Sequence, residues 1–499
     1  MSKNKKSVLS DIGNYSIASF ATQLITLVAG ILTRRFLGPT QMGIWSLLQI
    51  IVIYSNYASL GATEAILREI PYYEGRGEKH KVHEIKNQVF SFSMLTAFVI
   101  SFGVLLYAFI FRPHLSEHVF YGLMFVSALV ILQRINNLYI SFLRGFKHFT
   151  LASTQMIYSS IVNALLVAVL SLRFQMYGFM WALCLSFVFN IVYVHAHVQF
   201  GFRWELDWRK VGELIRYGFP LMILSIIDTI HLSIDKIMIA KMVGVTQLGL
   251  YTVALLSYSF LGKVTSSVGI VLVPNLHQKY GEREQLSDLR DYIVKTVTAF
   301  SVLMPLLIGL GSIWIAYLAR FVLPDYLDSI PPMRSLILSA FFLSLFHPFS
   351  YLMTVMRKQT WLVPIISLAC VLAIVGNFIV LRANWGITAV GMVTTFVFAV
   401  KFTIVYFKSG PAIMKKPEVI WLYLNILFKF VFLVAVLVGI WYLMPNAETS
   451  FTKSLMGSAV FAVIYLPSGI KTAHELGVLQ RLRRKFFTPR MPEDETDHE

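Results

Sequence analysis

The sequence predicts an all-α integral membrane protein of about fourteen transmembrane helices: two pseudo-symmetric six-helix lobes, then two further helices. Three observations predict it. Of 499 residues, 57% are hydrophobic and only 14% charged, against about 25% charged in an ordinary soluble domain. The apolar residues fall in windows of about 20, the length that crosses a bilayer. A short motif also recurs, 206 residues apart, at the same point of two successive sets of six windows.

Windows bounded by charges, Pro and Gly place the first six spans near 12–34, 42–66, 88–111, 118–142, 150–172 and 176–199. The apolar stretch after Lys3, Lys5 and Lys6 is long and lacks a small-residue cleavage site, so it reads as a retained first span. A polar break follows, and the next six spans fall near 218–241, 247–273, 291–317, 333–356, 360–381 and 386–407. A last pair lies near 420–443 and 453–473. The expected organisation is an N-lobe over 1–200, a linker over 201–217, a C-lobe over 218–408, two helices over 409–473 and a charged tail over 474–499.

In the break, Asp207 is a good N-cap. After it Trp208, Val211, Leu214 and Ile215 line one face, and Arg209, Lys210, Glu213 and Arg216 the other. With Trp204 beside Trp208, the segment reads as a helix lying in the membrane interface. A plain basic loop is the alternative.

Lys and Arg set the orientation. With the N-terminus inside, inner segments hold 28 of them and outer loops 9, so both termini are expected in the cytoplasm. This asymmetry also accounts for the net charge of +17 without a nucleic-acid partner. Cys184 and Cys370 sit within apolar runs, where a thiol acts as a small hydrophobe.

The repeat joins spans one and two through Gly38-Pro39-Thr40-Gln41-Met42-Gly43. It joins spans seven and eight through Gly244-Val245-Thr246-Gln247-Leu248-Gly249. At the same offset Arg35 corresponds to Lys241. Tyr73-Glu74-Gly75-Arg76 and Tyr280-Gly281-Glu282-Arg283 follow in the two halves. Six spans is an even number, so the copies keep one orientation and relate by an axis along the membrane normal, as in some secondary transporters.

The run Leu32-Thr33-Arg34-Arg35-Phe36-Leu37-Gly38-Pro39-Thr40-Gln41-Met42-Gly43 resembles the junction of spans one and two in polysaccharide (O-antigen, Wzx-like) flippases. Arg216-Tyr217-Gly218-Phe219-Pro220, Asp235-Lys236 and Gly249-Leu250-Tyr251 resemble the start of their second lobe. The resemblance implies the multidrug/oligosaccharidyl-lipid/polysaccharide exporter superfamily and its MATE-like fold, a V-shaped pair of six-helix lobes with two extra helices. Related multidrug exporters commonly carry an aspartate deep in the first span. Here that span holds Asn14 and Gln23, with Asp11 at its edge, which places lipid-linked sugars ahead of drugs as substrates.

Charges within spans are costly, about 2.5–3.5 kcal/mol at the bilayer centre, and so face a cavity or a partner. Arg34, Arg35, Arg134, Lys241 and Lys263 are expected to give a central cleft its positive potential, with Arg35 and Lys241 at its outer mouth. Arginine suits phosphate because its planar donors engage two oxygens together. Asp228, His231 and Asp235, at i, i+3 and i+7, share one helical face. They could couple transport to a proton or cation, or Asp235 could simply pair with Lys236 or Lys263. Glu64 and Arg68, at i and i+4, form either an inner gate or a structural ion pair. Lys401 and Lys429 are expected to snorkel toward an inner end. No metal-ligand spacing, phosphate-binding loop or nucleophile motif is present, so no cofactor is expected. The expected activity is movement of a lipid-linked oligosaccharide from inner to outer leaflet. Its alternatives are a cation-coupled exporter of amphipathic molecules and, less favoured, a membrane polymerase or glycosyltransferase. Expected partners are that substrate, membrane lipids and other polysaccharide-assembly proteins.

Overall fold

The computed structural model describes residues 2–443 and 450–475, and the regular structure among them is helical throughout. The expected tail lies outside these residues from 476 onward. The helices are α1 (Ser2–Ser55), α2 (Ala62–Gly75), α3 (Lys79–Ile110), α4 (Glu117–Gly145), α5 (Phe149–His197), α6 (Trp208–Met242) and α7 (Val245–Arg283). They continue as α8 (Arg290–Val322), α9 (Ile330–Ile337), α10 (Ser339–Val355), α11 (Leu362–Arg382), α12 (Gly386–Ser409), α13 (Lys416–Leu443) and α14 (Phe451–Glu475).

Ten stretches are long and apolar enough to cross a membrane. Two of them carry a pair of expected spans. α1 changes direction at Gly38, whose φ of 69° suits a residue without a Cβ and is followed by Pro39. α5 does so at Gln175, φ 48°, and Gln41 holds that break. Its Nε2 donates to Gln175 Oε1 at 2.8 Å, and its Oε1 accepts from the Met176 amide at 3.2 Å. The second span is not continuous. Helix α1 ends at Ser55, a single tight turn covers Asn56–Ser59, Leu60 and Gly61 are left-handed, and α2 starts at Ala62.

The linker expected as a separate interfacial helix is different in form. It is extended up to Asp207, whose side chain accepts from the Arg209 amide at 2.9 Å, and its amphipathic part is the opening of α6. Pro220 lies inside that continuous helix. Trp204 and Trp208 are exposed, as an interfacial position requires.

The chain divides into two compact units. One holds Met1–Phe260, Ala319–Leu336 and Thr360–Val397, and the other Leu261–Leu318, Ile337–Gln359 and Phe398–Glu499. In the first, α1 packs along α5, α3 along α4, α4 along α5, and α6 along α11. Its core includes Trp45, Leu48, Leu123, Val126 and Phe179, with the Trp45 and Phe179 rings edge-on at 5.0 Å. Cys184 belongs to this core, and both cysteines are buried as thiols, outside any disulfide.

In the second unit aromatic rings fill the interior. Phe342 meets Phe430 at 4.6 Å, and Phe349 meets Tyr406 at 4.8 Å. Lys401 does not snorkel: it is buried, with its ammonium 4.6 Å from the centre of the Phe346 ring. Lys429 also turns inward, donating to Ser301 Oγ at 2.9 Å. Both corrections have one cause: an apolar stem does not carry the head outward when a π face or hydroxyl is nearer than the interface.

Large apolar side chains remain exposed in stripes, among them Phe98, Phe102, Leu106 and Phe109 on α3 and Trp421, Leu424, Phe428 and Val431 on α13. Contiguous exposed apolar surface of this kind is what hydrocarbon solvates.

Candidate functional site

The two copies of the repeat meet in the first unit. Thr40 and Thr246, equivalent at the offset of 206, place their hydroxyls 3.0 Å apart. A Cβ added to Gly43 would lie 1.9 Å from the Val245 carbonyl oxygen, and one on Gly249 would lie 1.7 Å from that of Pro39. These two contacts are one contact repeated, since Pro39 corresponds to Val245 and Gly43 to Gly249. The glycines let one backbone touch the other. Gly244, like Gly38, has positive φ. A second close approach joins α2 to α6, where Cβ atoms on Gly61 and Gly218 would each collide with the other's backbone. Tyr57 adds a hydrogen bond to the Ser225 carbonyl at 3.1 Å.

Between these contacts, at the break in the second span, lies a cavity of ≈ 470 Å³. Arg134, Arg144, Asn56, Tyr57, Asn137 and Glu64 are on its wall. Arg134 on α4 is 3% exposed. Its Nη1 donates to the Asn56 carbonyl at 3.0 Å and its Nη2 to that of Ser55. These are carbonyls that a helix leaves unmade at its C-terminus, where a cation also meets the negative end of the helix dipole. Asn137 reinforces the turn through Asn56 Oδ1 at 3.0 Å. The cavity therefore has two guanidinium groups against one carboxylate, among amide and hydroxyl groups.

The other expected residues separate into groups. Arg35 and Lys241 are exposed beside the Thr40–Thr246 contact, in equivalent places. Arg34, on the adjoining face, is buried: Nη1 donates to the Gly30 carbonyl at 2.9 Å and Nη2 to that of Thr252 at 3.1 Å. Tyr326 donates to the Arg34 carbonyl at 3.1 Å. This corrects the expectation that Arg34 faces a cleft, because its fork is committed to tying α1 to α7. Lys263 is exposed on the part of α7 that belongs to the second unit.

Glu64 does not pair with Arg68, which corrects the expected i,i+4 bridge. Arg68 lies 3.7 Å from Glu69 and stacks on the Tyr217 ring at 4.5 Å. A planar guanidinium gains more from that ring face than from an exposed carboxylate.

On α6, Asp228 is half-buried, and His231 and Asp235 are buried. Asp235 accepts from Tyr251 at 2.8 Å, from Asn377 Nδ2 at 2.8 Å and from Thr394 at 2.9 Å. Its hydrogen bonds thus come from neutral donors on α7, α11 and α12, while Lys236 acts on it only through its charge. Asn56, Asn137, Tyr251, Asn377 and Thr394 escaped the sequence reading. The string Ser55-Asn56-Tyr57…Gly61, turn-forming residues inside a supposed span, was the available signal for Asn56.

An all-helical scaffold with many helices long and apolar enough to cross a bilayer defines a multi-pass membrane protein. The chain belongs to the polysaccharide biosynthesis protein family, whose pattern it matches over residues 8–279. No curated protein matches it. Among solved structures, it is similar to the lipid II flippase MurJ in an inward closed conformation, with a TM-score of 0.68 and 14% identity over 93% of this chain and 99% of that one. It is also similar to an inward-facing multidrug resistance MATE family transporter of the MOP superfamily (0.65, 17%, 82% and 95%). A MOP superfamily transporter from Pyrococcus furiosus gives 0.58, 16%, 85% and 96%. These likenesses establish the fold.

Proposed function

We propose that this protein is a flippase that carries an oligosaccharide, linked through a diphosphate to a polyprenyl tail, from the inner to the outer leaflet for cell-surface polysaccharide synthesis. It works by alternating access in the cell membrane, with both termini cytoplasmic and lobes over 1–200 and 218–408. The observation that carries the reading is the cavity at the broken second span, basic on balance and rich in hydrogen-bonding groups. The exposed Arg144 guanidinium suits a diphosphate, Arg134 adds charge behind it while its Nη atoms hold the Ser55 and Asn56 carbonyls, and amides and hydroxyls suit a sugar. A cavity for cationic drugs would need the opposite balance. Arg35 and Lys241 extend the positive path, and Lys263 is a further exposed cation on the second unit, while Arg34 and Arg68 hold helices in place.

Asp235, with His231 and Asp228 along the same helix, is the coupling group. Its carboxyl has hydrogen bonds from neutral donors only, so proton or cation uptake there would alter its grip on Tyr251, Asn377 and Thr394. Membrane lipids and the enzymes that assemble the polysaccharide are the partners, and the protein itself catalyses no covalent step.

Depletion of the protein in its own cells tests this. A lipid-linked oligosaccharide should accumulate on the inner leaflet, recoverable by solvent extraction. Unchanged lipid-linked sugars, with loss of resistance to an amphipathic cation instead, would overturn the proposal.

A further inference from the structure

A second pocket lies in the first unit where α3 and α5 begin, away from the cavity at the broken span. Its volume is ≈ 680 Å³, within the range of small-molecule sites. Lys79, Lys147, His83 and His148 line it, Lys86 lies in its wall, and Glu74 is the one carboxylate on it. Val82, Phe146 and Phe200 supply apolar surface.

Lys86 is 4% exposed. Its ammonium group donates to the carbonyls of Phe200 and Gly201, the latter at 3.0 Å, and lies 3.3 Å from His83 Nδ1. Among the described residues it has no ion pair. Glu205, which accepts from Asn87 Nδ2 at 3.0 Å, acts on it through its charge without direct contact. Neutral acceptors satisfy the donors of Lys86, and the lack of a directly bonded carboxylate is costly for a buried ion.

Two helix N-termini converge on the same pocket, and neither is capped by a side chain. Glu78 precedes α3 and His148 precedes α5; the Lys79 and Phe149 amides turn back to the Gly77 and Lys147 carbonyls, and the positive ends of both dipoles are offered to an anion. Glu78 is neutralised by Arg76 at 2.8 Å and Lys81 at 2.9 Å, so it does not offset the basic residues of the pocket.

Depth points the same way. The 32 residues of α3 extend about 48 Å, longer than a hydrocarbon core of about 30 Å. Its lipid-facing Phe98, Phe102 and Leu106 lie in the second half. The first turns therefore stand at the level of the headgroups.

We propose that this pocket binds a phosphate-bearing anion, either the phosphodiester headgroup of an anionic lipid or a free phosphate ester, held by Lys79 and Lys147 at the mouth over buried Lys86. Basic pockets between helices at this depth suit such groups.

The test uses the full-length protein in phosphatidylcholine nanodiscs. One arm adds phosphatidylglycerol to the bilayer, and the other adds inorganic pyrophosphate to the buffer. Native mass spectrometry counts what is bound, and the melting temperature reports its effect. Substituting Lys86 would also detach the segment it holds, so the variant is Lys79→Gln, Lys147→Gln, both exposed. Each lysine near a charged headgroup is worth about fivefold in affinity, so the double variant should bind about 25-fold more weakly with an unchanged melting temperature in the absence of probe. Saturable binding of phosphatidylglycerol alone identifies a lipid headgroup as the source, and of pyrophosphate alone a soluble ester. Binding of neither probe above the phosphatidylcholine background, or equal binding by the double variant, overturns the proposal.

Discussion

Gly249→Ala tests how closely the two copies of the repeat must meet. The new methyl carbon would stand 1.7 Å from the Pro39 carbonyl oxygen, whereas a comfortable carbon–oxygen contact is about 3.3 Å. The backbones must therefore separate by about 1.6 Å. That distance would also stretch the 3.0 Å contact between Thr40 and Thr246 beyond hydrogen-bonding range. Forced overpacking costs about 1–3 kcal/mol, and 2 kcal/mol reduces the closed population about 30-fold. Gly43→Ala strikes the equivalent contact, 1.9 Å from the Val245 oxygen, so the double variant should be worse than either alone. The assay is oxidative cross-linking in membranes of a protein carrying Thr40→Cys and Thr246→Cys. Cross-linking should slow about 30-fold when Gly249→Ala is added, and flipping in reconstituted vesicles should fall with it. An unchanged rate would mean that the glycines are not needed for closure, and the reasoning would fail.

Arg134→Lys keeps the charge but loses the rigid planar fork that spans the Ser55 and Asn56 carbonyls. It should lower stability by about 1–3 kcal/mol through the unmade bond, seen as a lower melting temperature, and reduce flipping at least about tenfold. A wild-type melting temperature would show that the turn at Ser55–Asn56 does not need its cap. Asp235→Asn should leave substrate binding intact yet remove any response of transport to a proton or sodium gradient; a mutant that still responds would clear Asp235 of coupling. Outside the spans, the hydrogen bond from Lys81, aided by Arg76, holds the Glu78 carboxyl below the usual glutamate range. That contribution is complete above the ordinary glutamate pKa and is lost as the pH falls through the lowered one. Melting curves of wild type and Glu78→Gln should therefore differ slightly at neutral pH and converge in acid, and a gap that widens in acid would contradict the sign.

The helices were legible because apolar length and punctuation are local properties. So were the cap at Asp207 and the repeat around Thr40 and Thr246, whose members turn out to touch. What a helical period cannot reveal is the partner of a face. Asp228, His231 and Asp235 were placed together on α6, but the donors to Asp235 are 16, 142 and 159 residues away. Arg34 and Arg35 are neighbours in sequence, yet the step of about 100° between them sends one inward to carbonyls and the other outward. Lys86 reads as one of many inner-end cations, and only the return of residues 198–207 across α3 buries it. The broken second span was hidden by its own composition, since Tyr57, Ala58 and Leu60 keep the window apolar while Asn56 and Gly61 end the helix.

The extended stretch before α6 is fastened rather than slack. Backbone amides of Arg203, Glu205 and Asp207 donate to Asn87, Ser91 and Gln88 on α3 at 3.2, 2.8 and 2.8 Å. Phe202 stacks on Phe90 at 4.5 Å, and Lys210 grips Glu84 at 2.5 Å. A tether pinned so often transmits torque and has no play to absorb it. The lower end of α6 thus acts as a fixed fulcrum, and a swing of the helix above it has to be taken up by bending where Pro220 interrupts the backbone ladder. The stroke at the far end of α6, at Met242, is then set by lever length: about 22 residues beyond that pivot, roughly 33 Å at helical rise, turn a few degrees of flexure into a few ångströms of travel.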